Sequence, residues 1–395
     1  MFFIDRSFFF PKELSALLEE FFLQEKQTNA LERLWPILAK DRGQNKEQHY
    51  SFDRKMAQAY ASYYLPANLL KIPLILEEMR LVGLPIPKNN FSWLDIGSGP
   101  GTALWGLAWW CKRYGISFDY LGLEQSKAFI QIGEEMSQSL RKLNLNYKSK
   151  FELFQQSEKK STQLKEKISA YSPDLLCFMN SIGEIKENSV ERSTWIIELL
   201  HSLAISAKKE NKTKWFLLIE PGSKTASREL LQLREDICKK DFVKLWLPCM
   251  DHRTCGALAL DKDWCHEETE CIFPPWMEKI GETAKLKKEA LVFSYILCSI
   301  GIHPETPSQW PTAGLRMVSQ RLIQKGQTEC YLCTNQGKQR VRVQHSKKNV
   351  KNEKFFDNMR GTIFTSADWE NKGDISSFQV ANFNKKMDEI LFPNS

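Results

Sequence analysis

The chain has 395 residues, 42% of them hydrophobic and 26% charged, and its 55 basic and 48 acidic side chains leave a net charge of +7. This composition excludes an intrinsically disordered chain and suits one large domain or several smaller ones. The basic excess permits a nucleic-acid partner without demanding one, and no run approaches the roughly 18 apolar residues that span a bilayer, so no membrane partner is expected.

The segment 1–88 is predicted to be an N-terminal helical region. Apolar residues recur at helical spacing in ELSALLEEFF, ALERLWPILAK and AQAYASYYLPANLL. The first residues include Asp5 and Glu13, which is atypical of secretory signals and of transit peptides. We therefore expect a cytoplasmic, monomeric protein whose ten cysteines are reduced.

The segment 89–320 alternates short apolar runs with helical patterns. FSWLDIG, SFDYLGLE, DLLCFMN and TKWFLLIEPG are strand candidates separated by helices. Such alternation predicts an α/β fold with a parallel, doubly wound sheet. A cysteine-rich insertion occupies about 247–272, and 321–395 is predicted to be a small β extension and tail, with a hairpin turn at 335–337.

A glycine-rich turn, LDIGSGPGTALWG, ends the first of these strands and opens the next helix. Gly97, Gly99 and Gly101 leave room for a ligand to approach the backbone, and the helix N-terminus carries a partial positive charge. The third glycine comes one residue too early for a dinucleotide fingerprint. With Asp95 in the strand and Glu124 at the end of the next one, the pattern resembles class I S-adenosylmethionine-dependent methyltransferases, which implies a Rossmann-like domain.

This resemblance implies roles for the individual residues. The glycines would line the methionine half of the cofactor, and Glu124 would accept hydrogen bonds from both ribose hydroxyls. Asp95 would orient the loop or the cofactor's amino group, and Asn180 would face the transferable methyl. A turn that merely packs helix on strand is the alternative. The stretch after the fourth strand reads NSIGEI and lacks the tetrapeptide of amino-methylating relatives, so no catalytic residue is assigned.

Three cysteines gather in LPCMDHRTCGALALDKDWCHEE, residues 247–268. Cys249, Cys255 and Cys265 are spaced more loosely than the pairs about two to four residues apart of zinc fingers. Their polar surroundings are unlike a core strand, and thiolates suit a soft metal centre. The fourth ligand could be His252, His266 or Cys271, or Cys333 of the later YLCTN stretch, or Cys330 just before that stretch.

Several further stretches occur in the order found in the methyltransferase-like family of small-ribosomal-subunit assembly factors of bacteria and mitochondria. They are AQAYASYYLPANLL, DLLCFMNSIGEI, LIEPGSKTASRELLQLRE, LPCMDHRTCGAL with WCHEE, and GQTECYLC. This resemblance implies a [4Fe-4S] cluster held by Cys249, Cys255, Cys265 and Cys333. It also implies binding to the small ribosomal subunit and its 16S-type rRNA during maturation, with Arg316, Arg321 and Lys325 as candidate RNA contacts.

Two other functions remain open at this stage. One is a methyltransferase of another substrate with a structural zinc site. The other is a non-catalytic assembly factor that keeps the cofactor pocket but has lost turnover.

Overall fold

The computed structural model describes residues 8–22, 31, 53–86, 89–154, 158–184, 188–249, 252–308, 310, 315–334, 336–352, 360–369, 373 and 375–380. Parts of the predicted helical region, residue 335 of the predicted turn and the tail after 380 lie outside these ranges. No helix in the ranges given is long and apolar enough to cross a membrane.

Nine strands form the central sheet. They are β1 (Phe8–Phe9), β2 (Phe91–Ile96), β3 (Phe118–Glu124), β4 (Tyr147–Leu153), β5 (Leu175–Met179), β6 (Lys214–Pro221), β7 (Val243–Leu247), β8 (Glu267–Ile272) and β9 (Ala290–Ile300). The order is β4-β3-β2-β5-β6-β9, with β2 to β6 parallel and β9 antiparallel to β6. β8 pairs with the first half of β9, and β7 pairs with its second half.

The strand order identifies the fold class. Counting β2 to β7 and then β9 as strands one to seven, the order across the sheet is 3-2-1-4-5-7-6, and the seventh strand alone runs against its parallel neighbours. This is the sheet of class I methyltransferases, so the predicted Rossmann-like, doubly wound fold is confirmed. The order reverses between β2 and β5, the switch point where open α/β sheets bind ligands.

Helices cover both faces of this sheet. They are α1 (Lys12–Phe22), α2 (Arg54–Leu69), α3 (Lys71–Leu81), α4 (Thr102–Tyr114), α5 (Lys127–Ser139), α6 (Glu158–Tyr171), α7 (Ser189–Glu210), α8 (Lys224–Cys238) and α9 (Pro275–Thr283). Because successive strand residues point to opposite faces, Trp93 joins the core under α1 to α5 and Leu94 joins the core under α6 to α8. The N-terminal helices therefore complete one hydrophobic face of the sheet.

The C-terminal part is larger than the hairpin expected. Its strands are β10 (Leu315–Met317), β11 (Leu322–Gln324), β12 (Gln327–Thr334), β13 (Gly337–Gln344), β14 (Ile363–Trp369) and β15 (Ile375–Val380). They form an antiparallel sheet in the order β11-β12-β10-β14-β15, with β13 also paired to β12. This sheet has its own small hydrophobic core, which includes Cys330.

Arg316 of β10 joins the C-terminal sheet to the rest of the molecule. Its guanidinium is only 3% exposed and bonds to Glu78 of α3 and, at 2.9 Å, to Glu267 of β8. Glu78 also accepts a hydrogen bond from the Tyr295 hydroxyl at 2.6 Å. The prediction that Arg316 contacts RNA is therefore wrong, because its guanidinium is buried and forms ion pairs with Glu78 and Glu267 inside the protein.

Candidate functional site

The glycine loop lies at the carboxyl edge of the parallel strands, between the end of β2 and the start of α4. Gly97, Gly99 and Gly101 all have positive φ angles, of 73°, 53° and 86°. Glycine adopts this left-handed region without the steric penalty that other residues meet. The loop is anchored by the amide of Gly97, which donates to the Leu123 carbonyl oxygen at 2.8 Å.

The three glycines serve different purposes. A Cβ at Gly97 would lie 2.4 Å from the Cβ of Ser181, and one at Gly101 would lie 2.9 Å from the ring of Phe151. A Cβ at Gly99 would meet nothing within 4 Å. Close packing therefore accounts for the glycines at 97 and 101, whereas Gly99 borders open space at the switch point.

Glu124 at the end of β3 holds this loop in position. Its Oε2 accepts a hydrogen bond from the Gly99 amide at 2.8 Å, and its Oε1 accepts one from the Ser126 amide at 2.9 Å. Burial raises the pKa of Glu124, while these amide donors act in the opposite direction. Each carboxylate oxygen can accept more than one hydrogen bond, so Glu124 retains acceptor capacity for a ligand.

Asp95 and Asn180 place further polar atoms at the same edge of the sheet. Asp95 Oδ2 accepts a hydrogen bond from the Tyr120 hydroxyl at 2.7 Å. Burial, with a smaller contribution from Glu124, raises the pKa of Asp95 to about 7. Oδ1 of Asp95 and Oδ1 of Asn180 are both buried, and neither has a conventional hydrogen-bond partner among the described residues. The Cys177 thiol, a weak donor, lies beside Asp95. Buried polar atoms without a hydrogen-bond partner are rare in folded proteins, and these two could accept hydrogen bonds from a polar ligand.

Helix α8 holds the cysteine segment (residues 247–268) in place, a contact that no sequence pattern predicted. One nitrogen of Arg228 donates to the carbonyl oxygens of Ala257, Leu260 and Asp263 at 3.3, 2.9 and 2.7 Å. Oε1 of Glu235 accepts the Cys255 amide at 3.0 Å. Arg228 and Glu235 are two helical turns apart and therefore lie on the same face of α8. This spacing was the only feature of the sequence that could have indicated a shared contact.

Three of the four predicted thiol ligands lie close enough to the fourth, Cys265, to act on it electrostatically. Burial raises the pKa of the Cys265 thiol well above its usual value, and the nearby Cys249, Cys255 and Cys333 thiols raise it further. The two other candidate cysteines lie elsewhere: Cys271 in the core under the N-terminal helices, and Cys330 in the core of the C-terminal sheet. Among the described side chains, no group of three or more His, Cys, Asp or Glu is placed to hold a metal ion, so metal binding stays a prediction.

The β12–β13 hairpin, which carries Cys333, packs on the cysteine segment. Cys333 pairs with Lys338 across the hairpin. A Cβ at Gly256 would lie 2.6 Å from the Lys338 amide nitrogen, which shows how closely the two backbones approach. The Lys338 ammonium forms an ion pair with Asp263 at 2.6 Å.

The two histidines of the segment have other contacts. Nε2 of His252 accepts the Leu245 amide at 3.1 Å. The His266 ring stacks on Trp264, with centroids 5.8 Å apart, and burial lowers the pKa of His266 to about 4. His266 is therefore neutral at pH 7.

Arg234 of α8 is a further residue that sequence reasoning missed. Its guanidinium is buried, donates to Glu235 at 2.5 Å, and is hydrogen-bonded to the Cys249 thiol. Burial acts to lower the pKa of Arg234, but the nearby Cys249 and Cys238 raise it by more. Arg234 therefore remains a cation.

The family follows from the sequence match. Residues 54–376 match the model of the family described as "Mitochondrial small ribosomal subunit Rsm22". The chain belongs to the Rsm22 family. The match spans helices α2 and α3, the glycine loop, the cysteine segment and most of the C-terminal sheet, which confirms the predicted resemblance to methyltransferase-like small-subunit factors. A search of the curated proteins finds no match.

Solved structures with some similarity to this Rsm22-family chain include several methyltransferases. The plantazolicin methyltransferase BpumL, in complex with SAH, is 13% identical with a TM-score of 0.33, covering 73% of this chain and 99% of that one. The CurJ carbon methyltransferase is 15% identical with a TM-score of 0.32, covering 74% and 71%. The precorrin-6y C5,15-methyltransferase from Geobacter metallireducens is 9% identical with a TM-score of 0.31, covering 58% and 86%. These likenesses establish neither a substrate nor a cofactor for this chain.

Proposed function

We propose that this protein is an S-adenosylmethionine-binding, methyltransferase-like factor of the small ribosomal subunit that carries a [4Fe-4S] cluster. The observation that carries the proposal is the glycine loop at the switch point, where Gly99 borders open space beside the Glu124 carboxylate. The family description supports the ribosomal role. It also names the mitochondrion, so the expected cytoplasmic location stays a prediction, as does the monomeric state.

The cofactor site follows from the polar groups already in place. Glu124 would bind the ribose hydroxyls while its existing bonds to the Gly99 and Ser126 amides keep it oriented. Asp95 would direct a buried oxygen toward the amino group of the ligand, and Asn180 would direct one toward its transferable methyl. When bound, S-adenosylmethionine supplies an electrophilic methyl group. The proposal assigns binding to these residues and assigns no catalytic acid or base.

The thiol site fits an iron–sulfur cluster by the chemistry of its donors. Cys249, Cys255, Cys265 and Cys333 would provide four thiolates, and the Arg234 cation beside Cys249 would offset part of their negative charge. Each thiolate of such a cluster binds a different iron, so the sulfurs can stand farther apart than four ligands of one zinc ion. Metal analysis of the anaerobic protein separates the cluster from the alternative of a structural zinc.

The Gly99→Arg variant is expected to lose measurable affinity for S-adenosylmethionine in calorimetric titration. The new side chain would start in the open space beside Glu124, where its Cβ would meet no atom within 4 Å. The positive φ of 53° would add strain of about 1–2 kcal/mol.

Gly115→Arg is the matched control for this variant. Gly115 also has a positive φ, of 62°, and open space around its Cβ, but it lies at the other end of α4. This control should carry similar strain and bind the cofactor normally. Unchanged affinity in Gly99→Arg, or equal loss in both variants, would remove the cofactor assignment.

The ribosomal role is tested separately by sedimentation with purified ribosomal subunits. The protein should travel with small subunits at low salt and dissociate as salt rises, because phosphate contacts release counterions. Sedimentation with large subunits only, or with neither subunit at low salt, would contradict the role.

A further inference from the structure

Asp95 is a buried acid that has no cationic partner among the described residues. It lies near the end of β2, is 1% exposed, and is flanked by Gly122 of β3 and Cys177 of β5. Its hydrogen-bond donors are neutral: the Tyr120 hydroxyl bonds Oδ2 at 2.7 Å, and the Cys177 thiol lies beside it. Burial of a carboxylate without a cation costs free energy, so a carboxyl in this position favours its protonated form.

The other titratable groups near Asp95 do not replace the missing cation. Burial raises the pKa values of Tyr120 and Cys177 well above their usual ranges, so both side chains stay neutral. Glu124 adds a nearby negative charge, and the backbone amides that bond it favour its ionised form. Because like charges repel in a buried site, the proton belongs on Asp95, whose pKa is raised to about 7.

The helices that pack on this face of the sheet bring no charge to Asp95 either. Asp95 lies on the face of β2 that α1 to α5 cover. The buried side chains that the structure describes in α1, α2, α4 and α5 are uncharged. Two of them titrate, Tyr63 and Cys111, and burial raises the pKa of both. The buried charges of α3 contact other groups, which are Arg80, Arg316 and the ring of Phe293.

A cationic group of the cofactor would supply the missing charge. S-adenosylmethionine carries an ammonium group in its amino acid portion. Asp95 lies two residues before Gly97, so an ammonium group bound at the glycine loop comes close enough to interact strongly with it in a buried site. A metal ion would need several further oxygen ligands, and the described side chains form no such group.

We propose that Asp95 holds a proton in the free protein and releases it when the ammonium group of the cofactor binds. This inference rests on the proposed cofactor site and adds a pH dependence to it. An ammonium group favours the ionised carboxyl, so the pKa of Asp95 falls in the complex. Below pH 7 the ligand must displace the proton, and the affinity therefore falls as the pH falls.

The first test is calorimetric titration with S-adenosylmethionine at pH 6, 7 and 8. Because the pKa of Asp95 is about 7 in the free protein, the affinity should be about tenfold lower at pH 6 than at pH 8. Titration in buffers of different ionisation enthalpy counts the protons, and about one should be released per ligand at pH 6. The control ligand is 5′-methylthioadenosine, which keeps the adenosine but lacks the amino acid portion. It should bind equally well at each pH.

Variants separate Asp95 from the neighbouring groups. Asp95→Asn cannot ionise, so its affinity for S-adenosylmethionine should be lower than that of the wild type at pH 8 and unchanged between pH 6 and pH 8. Tyr120→Phe removes a donor that favours the ionised carboxyl, so its affinity should begin to fall at a higher pH than in the wild type. Tyr147→Phe is the matched control, because its hydroxyl bonds the Ser137 carbonyl oxygen, and its pH profile should match the wild type.

Constant affinity for S-adenosylmethionine between pH 6 and pH 8 would overturn the proposal and leave the cofactor site in place. The same pH dependence in 5′-methylthioadenosine binding, or in Asp95→Asn, would also overturn it, because the ammonium group or the carboxyl would then be unnecessary. An unshifted profile in Tyr120→Phe counts against it even where Asp95→Asn does not fold. If neither ligand binds at any pH, the proposed cofactor site itself fails, and the proton release fails with it.

Discussion

Anaerobically purified Cys333→Ser protein should lose most of its iron, and Cys330→Ser protein should keep it. The two cysteines lie three residues apart on β12 and therefore on opposite faces of the strand. Cys333 faces the cysteine segment and acts electrostatically on Cys265, whereas Cys330 is fully buried in the core of the C-terminal sheet. A serine oxygen binds soft iron poorly, so only the first change removes a ligand.

Measurement of iron and sulfide against protein concentration decides the result. Cys330→Ser places a hydroxyl in an apolar core and lowers stability, which makes it a stringent control for nonspecific loss. Equal iron content in the two variants would show that the hairpin provides no ligand. Zinc without iron in the anaerobic wild-type protein would contradict the cluster itself.

Arg316→Gln should lower the free energy of unfolding by about 3–5 kcal/mol, because breaking a buried ion pair leaves the remaining charges uncompensated. Here the remaining charges are Glu78 and Glu267, which both lie in the interior beside Tyr295. Urea unfolding monitored by tryptophan fluorescence measures the change.

Arg54→Gln is the control for that measurement. Arg54 also forms a close pair, at 2.6 Å with Glu135, but the two side chains are 48% and 40% exposed. Exposed pairs contribute roughly 0–1 kcal/mol, so this variant should be nearly as stable as the wild type. Similar losses in the two variants would mean that Arg316 does not join the C-terminal sheet to the rest of the protein.

Local sequence patterns predicted the central fold well for a physical reason. Strand and helix periodicities, and glycines that need positive φ angles, are properties of a few neighbouring residues, so the parallel sheet and the loop around Gly99 could be predicted. The choice of Cys333 as the fourth ligand rested on the family resemblance, and it stays a prediction. Spacing alone left His252, His266 and Cys271 open as ligands.

Long-range polar contacts could not be predicted in the same way. Arg316 lies in a basic stretch of sequence, and only the fold reveals its pairing with Glu78, 238 residues earlier. Likewise, β10 and β11 are only three residues long, and they gain stability from pairing with β12 rather than from their own pattern. From the sequence alone, Arg228 and Glu235 have the pattern of a solvent-facing helix surface. Only the fold shows that they hold the cysteine segment.

The cysteine segment leaves and rejoins the central sheet on a single strand. Leu247 pairs with Leu297, and Glu267 pairs with Phe293, so both ends are fixed to β9 only four residues apart, or about 13 Å. The segment thus resembles a macrocyclic chelator, whose ring is closed before the ion arrives. Loop closure is already provided by the sheet, so metal binding need not drive folding as it does in a zinc finger. A metal centre here could then be loaded late and removed reversibly while the sheet stays intact.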